Sequence, residues 1–147
     1  MEAKPAILFL CTGNSCRSQM AEGGAKFLGG AALQAASAGI EAHGKNPRAI
    51  QAMAEAGVDI SAQASTQVTD AMIAAADIVV TVCGHADEHC PVLPPATRKT
   101  HWPLDDPAKA VGTEAEIMAQ FRATREEVRV RVCALLQELR LPFRAGV

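Results

Sequence analysis

Tyrosine is absent from this chain, tryptophan occurs once and phenylalanine four times. Single-stranded nucleic acids are held largely by stacking on such rings, so a stacking platform is not available. Charge of one sign is lacking too. A formal net charge of −2 gives no basic footprint for DNA, RNA or an anionic membrane surface. No segment approaches the ~18 apolar residues of a membrane span. The opening Met-Glu-Ala-Lys-Pro and the short apolar run after it lack the basic start, long apolar stretch and cleavage site of a signal peptide. The expectation is a cytoplasmic protein with no nucleic-acid and no membrane partner. Five cysteines, an odd number, are too few for a disulfide scaffold. In a reducing cytosol they do chemistry, bind metal or pack.

What is present reads as one globular domain spanning residues 1–147, with 49 % apolar and 20 % charged residues and no internal repeat or linker. The apolar run 6–10 ends at a glycine-bearing loop, which suits a buried parallel strand. Residues 18–28 carry Met20, Ala21, Ala25 and Leu28 at helical spacing, stopped by Gly29 and Gly30. Residues 33–38 are a second strand candidate. Pro47 opens a helix through Ile50, Met53, Ala54 and Val58, with Gly57 marking its end. A short helix over 69–76 leads to the β-branched run 77–82, the strongest strand signal in the chain. A further short strand is expected over 99–102. Residues 114–139 form a long amphipathic helix, with Ile117, Phe121, Val128, Val132, Leu135, Leu136 and Leu139 as its apolar stripe. Strands alternating with helices imply an α/β fold with a parallel sheet covered on both faces.

Chemistry concentrates at three places. The first is Cys11-Thr12-Gly13-Asn14-Ser15-Cys16-Arg17-Ser18, between the first strand and the first helix. Ligands of open α/β sheets bind beyond the carboxyl ends of strands, where Cys11 falls. A loop entering a helix aims backbone N–H groups inward, and the helix dipole adds positive charge. Gly13 permits unusual backbone angles and Asn14 tolerates them. Arg17 offers a planar fork that matches two oxygens of a tetrahedral oxyanion. The same donors favour the thiolate of Cys11 over its thiol, whose ordinary pKa is near ~8.5, and the Ser18 hydroxyl is expected to add a hydrogen bond to the sulfur. Cys11 is therefore the candidate nucleophile. A loop aims one cysteine at a common centre, so Cys16 is read as packed.

The second place is Cys83-Gly84-His85-Ala86-Asp87-Glu88-His89-Cys90. If this stretch is helical, Cys83 and Cys90 lie about 20° apart on one face, while His85 and His89 project from the opposite one. That geometry disfavours zinc and makes the histidines a solvated face. The cysteine pair suggests redox exchange. On a regular helix their Cα atoms stand about 10.5 Å apart, beyond the ~7 Å limit of a disulfide. A bond between them requires the segment to unwind, which Gly84 and Pro91 make easier. The third place is His101-Trp102-Pro103-Leu104-Asp105-Asp106-Pro107, where an acid is available to protonate an oxygen that leaves. Proline holds the residue before it extended, which favours Asp106, with Asp105 in reserve.

These residues together resemble the thioredoxin-coupled arsenate reductases, built on the low-molecular-weight protein tyrosine phosphatase fold. The resemblance runs from the loop at Cys11 through Ser37-Ala38-Gly39-Ile40, Gly44-Lys45-Asn46-Pro47, Val79-Val80-Thr81-Val82-Cys83 and Cys90-Pro91 to Asp105-Asp106-Pro107. Loop and acid are common to reductases and phosphatases, whereas the Cys83/Cys90 pair is similar to the reductases alone. The resemblance implies a four-stranded parallel sheet flanked by helices on both faces. It implies arsenate as substrate, with phosphate and sulfate as competing anions held by Thr12, Gly13, Asn14, Ser15, Cys16 and Ser18. It further implies attack of Cys11 on arsenate with help from Arg17 and Asp106, a Cys11–Cys83 disulfide as arsenite leaves, its transfer to Cys83–Cys90, and reduction by thioredoxin. No tightly bound cofactor is implied. Some members bind a structural potassium ion; Asn14, Glu22 and Ser37 match that site, and Thr66 stands where an Asp is expected. Cys133 matches no site and is expected in the core. The rival readings are a phosphatase with extra thiols and an oxyanion-binding redox sensor without turnover.

Overall fold

The run Ala-Ile-Leu-Phe-Leu-Cys forms strand β1 (Ala6–Cys11) in the computed structural model, which describes residues 4–142. It is buried from its second residue onward, as a strand covered on both faces must be. The termini of the expected 1–147 domain, with the first residues of the signal-peptide reading, lie outside the described residues. β1 pairs in parallel with β2 (Gln34–Gly39) on one side and β3 (Ile78–Thr81) on the other. β4 (Arg98–His101) extends the sheet beyond β3, giving four strands in the order β2-β1-β3-β4. The parallel four-stranded sheet expected from the sequence is the one found.

Helix ends follow their local chemistry. α1 (Arg17–Gly29) leaves the Cys11 loop and stops where Gly30 turns to φ 50°. α2 (Pro47–Glu55) is capped by the Asn46 side chain, which accepts from Arg48 N and Ala49 N. Gly57, at φ 84°, closes α2 as the sequence leads one to expect. α3 (Asp70–Ala75) is capped by Thr69, α4 (Gly84–Glu88) by Cys83, and α5 (Glu114–Glu138) by a Thr113/Glu116 capping box. Observed bounds differ from the expected ones by one or two residues. Short 3₁₀ turns at Gly30–Ala32 and Pro107–Lys109 were not legible in the apolar pattern. The stripe of α5 is also rotated from the expected one. Met118 and Thr124 are buried with Phe121, Val128, Val132, Leu135 and Leu136, whereas Ile117 and Leu139 are only partly covered. Thr124 is tolerated there because its hydroxyl donates to Gln120 O at 3.1 Å.

The strand order positions the site. From β1 the chain moves one way to β2, then returns across β1 to β3. Right-handed crossovers therefore place α1 on one face and α3 on the other, and the loops after β1 and β3 diverge. Ligand crevices form at such a reversal. Register does the rest: Leu10 lies opposite Thr81, and Val82 N–H donates to Leu10 O at 2.9 Å. Cys11 and Cys83 thus emerge side by side from neighbouring strands. The single tryptophan is structural. Trp102 packs on Phe9 with ring centroids 5.5 Å apart, and its backbone N–H donates to Thr81 O at 2.8 Å, anchoring the start of the acid loop.

Candidate active site

The loop after β1 turns its carbonyls outward. Those of Cys11, Thr12, Gly13 and Ser15 accept from the N–H groups of Ile40, Glu41, His43 and Asn46, at 2.8 to 3.0 Å. Asn14 O accepts from the Gln19 side chain at 3.0 Å. With the carbonyls spent on the outside, the N–H groups face the inside. Asn14, not Gly13, takes the left-handed angle, at φ 49°. Its buried side chain braces that turn by accepting from Thr66 N at 2.8 Å and donating to Ser18 Oγ at 2.8 Å and Ser37 Oγ at 2.9 Å. Gly13 is needed for a different reason than expected. A Cβ there would fall 2.3 Å from His43 Nδ1, so its bare backbone is what lets the His43 ring lie across the loop.

Arg17 opens α1 and turns into the cleft. Its Nη1 donates to Leu104 O at 3.1 Å and its Nη2 lies 3.5 Å from Asp106 Oδ2. Its Nε is buried and has no protein partner. A buried charged donor without an acceptor is costly, and an oxyanion in the cleft would supply the acceptor. Asp106 is held by its own turn. It has the extended backbone expected before Pro107, φ −86° and ψ 103°, and its Oδ1 accepts from Ala108 N at 3.0 Å. Asp105 instead lines a separate cleft with Gln120, Thr124 and Glu127.

The sulfur atoms share their charge in a way the sequence does not reveal. The side chains of Cys11 and Cys83 hydrogen-bond to each other. That bond, with burial, pushes the Cys11 thiol up against the opposing pull of Arg17 and the Thr12 N–H. The same bond lowers Cys83 to about 5; burial opposes this, while Thr12 Oγ1 at 3.2 Å and Ala86 N–H at 3.4 Å assist. The two sulfurs therefore favour sharing a single negative charge, with Cys11 pushed up and Cys83 pushed down. A second sulfur thus competes with Cys11 for the stabilising groups that the sequence pattern placed around Cys11 alone. The role expected of Ser18 is corrected, since its hydroxyl is buried against Asn14 and is not among the Cys11 partners. Cys16 is packed as expected, its sulfur 4.0 Å from Met20 Sδ, and burial followed by the Asp106 charge pushes it up to about 12.

A labelling experiment tests this distribution. Thiolate, not thiol, reacts with iodoacetamide. Cys83 should stay reactive as the pH falls to about 6 and lose reactivity only as it passes its lowered pKa near 5, while Cys16 remains inert at neutral pH. Peptide mapping after labelling across pH reads both. Cys83 labelling that collapses below about pH 8, as for an ordinary thiol, would contradict the assignment.

The cleft has a volume of about 450 Å³ and is lined by Cys11, Thr12, Gly13, Ser15, Cys16 and Arg17, together with His43, Cys83, His85, Asp106 and Lys109. Asn14 and Ser18 lie behind the loop and brace it. Sequence reasoning missed His43, His85 and Lys109. Only the missing Cβ of Gly13 hints at His43, and Lys109 arrives through the 3₁₀ turn after Asp106. Cys90 follows His89, the C-cap of α4; it is partly buried, and burial pushes its thiol up. Cys133 is half-buried against the core. His85 and His89 stack with centroids 4.2 Å apart and are exposed, though His85 also reaches the cleft. Among the described residues no group of three or more His, Cys, Asp or Glu is arranged to hold a metal.

The residues matched to a potassium site do not fit one. Asn14 Oδ1 accepts from Thr66 N, and Thr66 O accepts from Gly39 N at 2.8 Å. Ser37 Oγ donates to Glu22 Oε1, and the Lys26 ammonium sits on Glu22 Oε2. These oxygens are spent on one another and on a resident cation.

A family model described as low molecular weight phosphotyrosine protein phosphatase matches residues 6–143. The chain belongs to that family. Within the low molecular weight phosphatase family it is 53 % identical to an arsenate reductase of Bacillus licheniformis over 130 residues, 88 % of this chain and 94 % of the relative. A solved arsenate reductase in the phosphate binding state superposes with a TM-score of 0.75 at 37 % identity, covering 91 % of this chain and 98 % of that one. A thioredoxin-dependent arsenate reductase of Corynebacterium glutamicum superposes with a TM-score of 0.76 at 26 % identity, covering 95 % of this chain and 63 % of that one.

Proposed function

We infer that this protein reduces arsenate to arsenite in the cytoplasm through a relay of Cys11, Cys83 and Cys90 that a thioredoxin-type dithiol regenerates. The observation that carries this reading is that two sulfurs, Cys11 and Cys83, line one cleft with Arg17, whose buried Nε has no protein partner. A phosphatase needs only the first sulfur. The half-identical relatives support the reading, and so does a cleft without phenylalanine or tryptophan among its described lining, which offers little to stack on a phosphotyrosine ring. No helix among the described residues is long and apolar enough to cross a membrane.

Each step has a residue for it. Arsenate enters the loop, where N–H groups and the Arg17 fork hold its oxygens; phosphate and sulfate, of the same shape, compete. As Cys11 attacks arsenic, its proton passes to Cys83, and Asp106 protonates the departing oxygen so that water leaves. Cys83 gives the proton from Cys11 up to an oxygen of the bound arsenic group, is again a thiolate under Thr12 Oγ1, Ala86 N–H and Arg17, and attacks Cys11 Sγ. The sulfur–sulfur bond forms, the sulfur–arsenic bond breaks, and its electron pair stays on arsenic, which leaves as arsenite. Cys90 then attacks Cys83, freeing Cys11 and placing the disulfide at the end of α4, where a protein dithiol reduces it.

Arsenate-dependent NADPH oxidation with thioredoxin and its reductase, run beside a phosphate-ester assay, tests the reading; ester hydrolysis without arsenate turnover would give the phosphatase instead. Asp106→Asn should slow the first chemical step by about 10²–10⁴-fold, the usual range for an acid catalyst, with anion binding retained. Rapid-quench measurement of the Cys11–Cys83 disulfide reads that step. The same loss in Asp105→Asn with Asp106→Asn unaffected would reassign the acid.

A further inference from the structure

The short helix between the redox cysteines is tied to the sheet by one side chain. Asp87, on α4, directs Oδ1 to Lys99 Nζ at 3.0 Å, and the same ammonium donates to Asp87 O at 3.2 Å. Lys99 stands on β4. Thr81, buried on β3, donates its single hydroxyl proton to Asp87 Oδ1 at 3.2 Å, so its 2.8 Å contact with His101 Nδ1 requires the histidine nitrogen to donate. The His101 ring completes the enclosure, 4.0 Å from the carboxylate. Three groups from two strands thus converge on one carboxylate of a five-residue helix.

Besides the buried Ala86 and its own backbone hydrogen bonds, the helix has one further side-chain tie. Cys83 caps it by accepting the Ala86 N–H. That cap depends on the charge of the sulfur, and the sulfur loses its charge on entering the Cys11–Cys83 disulfide. From then on the Asp87 contacts are the remaining side-chain hydrogen bonds that tie α4 to the sheet.

We propose that Asp87 and Lys99 form a latch that keeps α4 wound until the first disulfide exists, and that Lys99, freed when the latch opens, becomes the positioning residue for the Cys90 sulfur. This rests on the relay described above. The step it serves is balanced within the protein: Cys90 thiolate attacks Cys83 Sγ, the Cys83–Cys90 bond forms, and the Cys11–Cys83 bond breaks with its electron pair leaving on Cys11. Cys90 must be a thiolate to attack, and burial works against that. Lys99 is the largest opposing influence, and Asp87 cancels part of it while the helix is wound. Unwinding moves the carboxylate away with α4 and leaves the ammonium on β4. The motion that brings Cys90 within reach of Cys83 thereby also ionises it.

The test uses full-length reduced protein without arsenate, so it stands or falls apart from the reductase reading, which the turnover assay decides alone. Asp87→Asn should raise amide exchange over residues 84–89 several-fold and speed iodoacetamide labelling of Cys90. Lys99→Gln should also raise exchange, yet move the pH midpoint of Cys90 labelling upward and slow labelling at neutral pH; Lys99→Arg should restore the midpoint. A merely structural contact would speed exchange and labelling alike in both variants. Unchanged exchange in Asp87→Asn, or an unchanged labelling midpoint in Lys99→Gln, overturns the proposal.

Discussion

Replacing Cys11 with serine is expected to bring arsenate-dependent NADPH oxidation down to the background of the coupling enzymes. A neutral hydroxyl has none of the nucleophilicity of a thiolate and cannot enter a disulfide, so attack and release are lost together. Arg17→Lys should cost about 10²–10³-fold in kcat, the loss that follows removal of an aimed oxyanion donor. The reason is geometric. The Arg17 fork reaches Leu104 O and Asp106 with its two terminal nitrogens and keeps Nε for the cleft, and an ammonium point charge serves one direction at a time. Steady-state assays on both variants check this, with circular dichroism to show that the fold is retained. Wild-type turnover in the serine variant would remove Cys11 from the chemistry.

The second large effect is expected at Cys90. Cys90→Ser leaves the loop, Arg17 and the Cys11–Cys83 pair intact, so the first turnover should run at its normal rate. The enzyme should then stop with one arsenite released per chain and a Cys11–Cys83 disulfide in place, because no third thiol remains to move that disulfide outward. Peptide mapping after a single arsenate exposure identifies the bond, and arsenite titration counts the turnover. Sustained turnover with thioredoxin would mean that the reductant reaches the first disulfide directly, and Cys90 would lose its place in the relay.

The fold was legible because its signals are local. Six consecutive mostly apolar residues make β1, Pro47 and Gly57 bracket α2, and β-branched Ile78, Val79 and Val80 make β3. The choice of Asp106 over Asp105 as the residue facing the cleft was legible for the same kind of reason, since proline fixes the backbone before it. What was not legible depends on residues far apart in the chain. Neighbouring apolar positions of a 25-residue helix look alike until α1 and α2 pack against one side of it, hence Met118 where Ile117 was expected. Counting donors around Cys11 took account of one sulfur, whereas that of Cys83, 72 positions along and brought alongside by the β1–β3 register, competes for the same charge. His43 and Lys109 reach the cleft through turns whose course no periodicity announces. The Asp87–Lys99 contact joins a helix to an edge strand in the same way.

One consequence follows from where the three thiols are mounted. Cys11 and Cys83 hang from the ends of strands locked in a hydrogen-bond ladder, and Cys90 hangs from a helix barely more than one turn long. The first exchange is thus made between two fixed posts and the second by a swinging arm. Such a mounting behaves as an airlock. The inner door is a cleft of about 450 Å³, a size that suits a small tetrahedral anion; the outer door, past the end of α4, is where the proposed relay would present its disulfide. In the proposed relay oxidant and reductant need never meet, because the electrons would pass between them as a travelling disulfide.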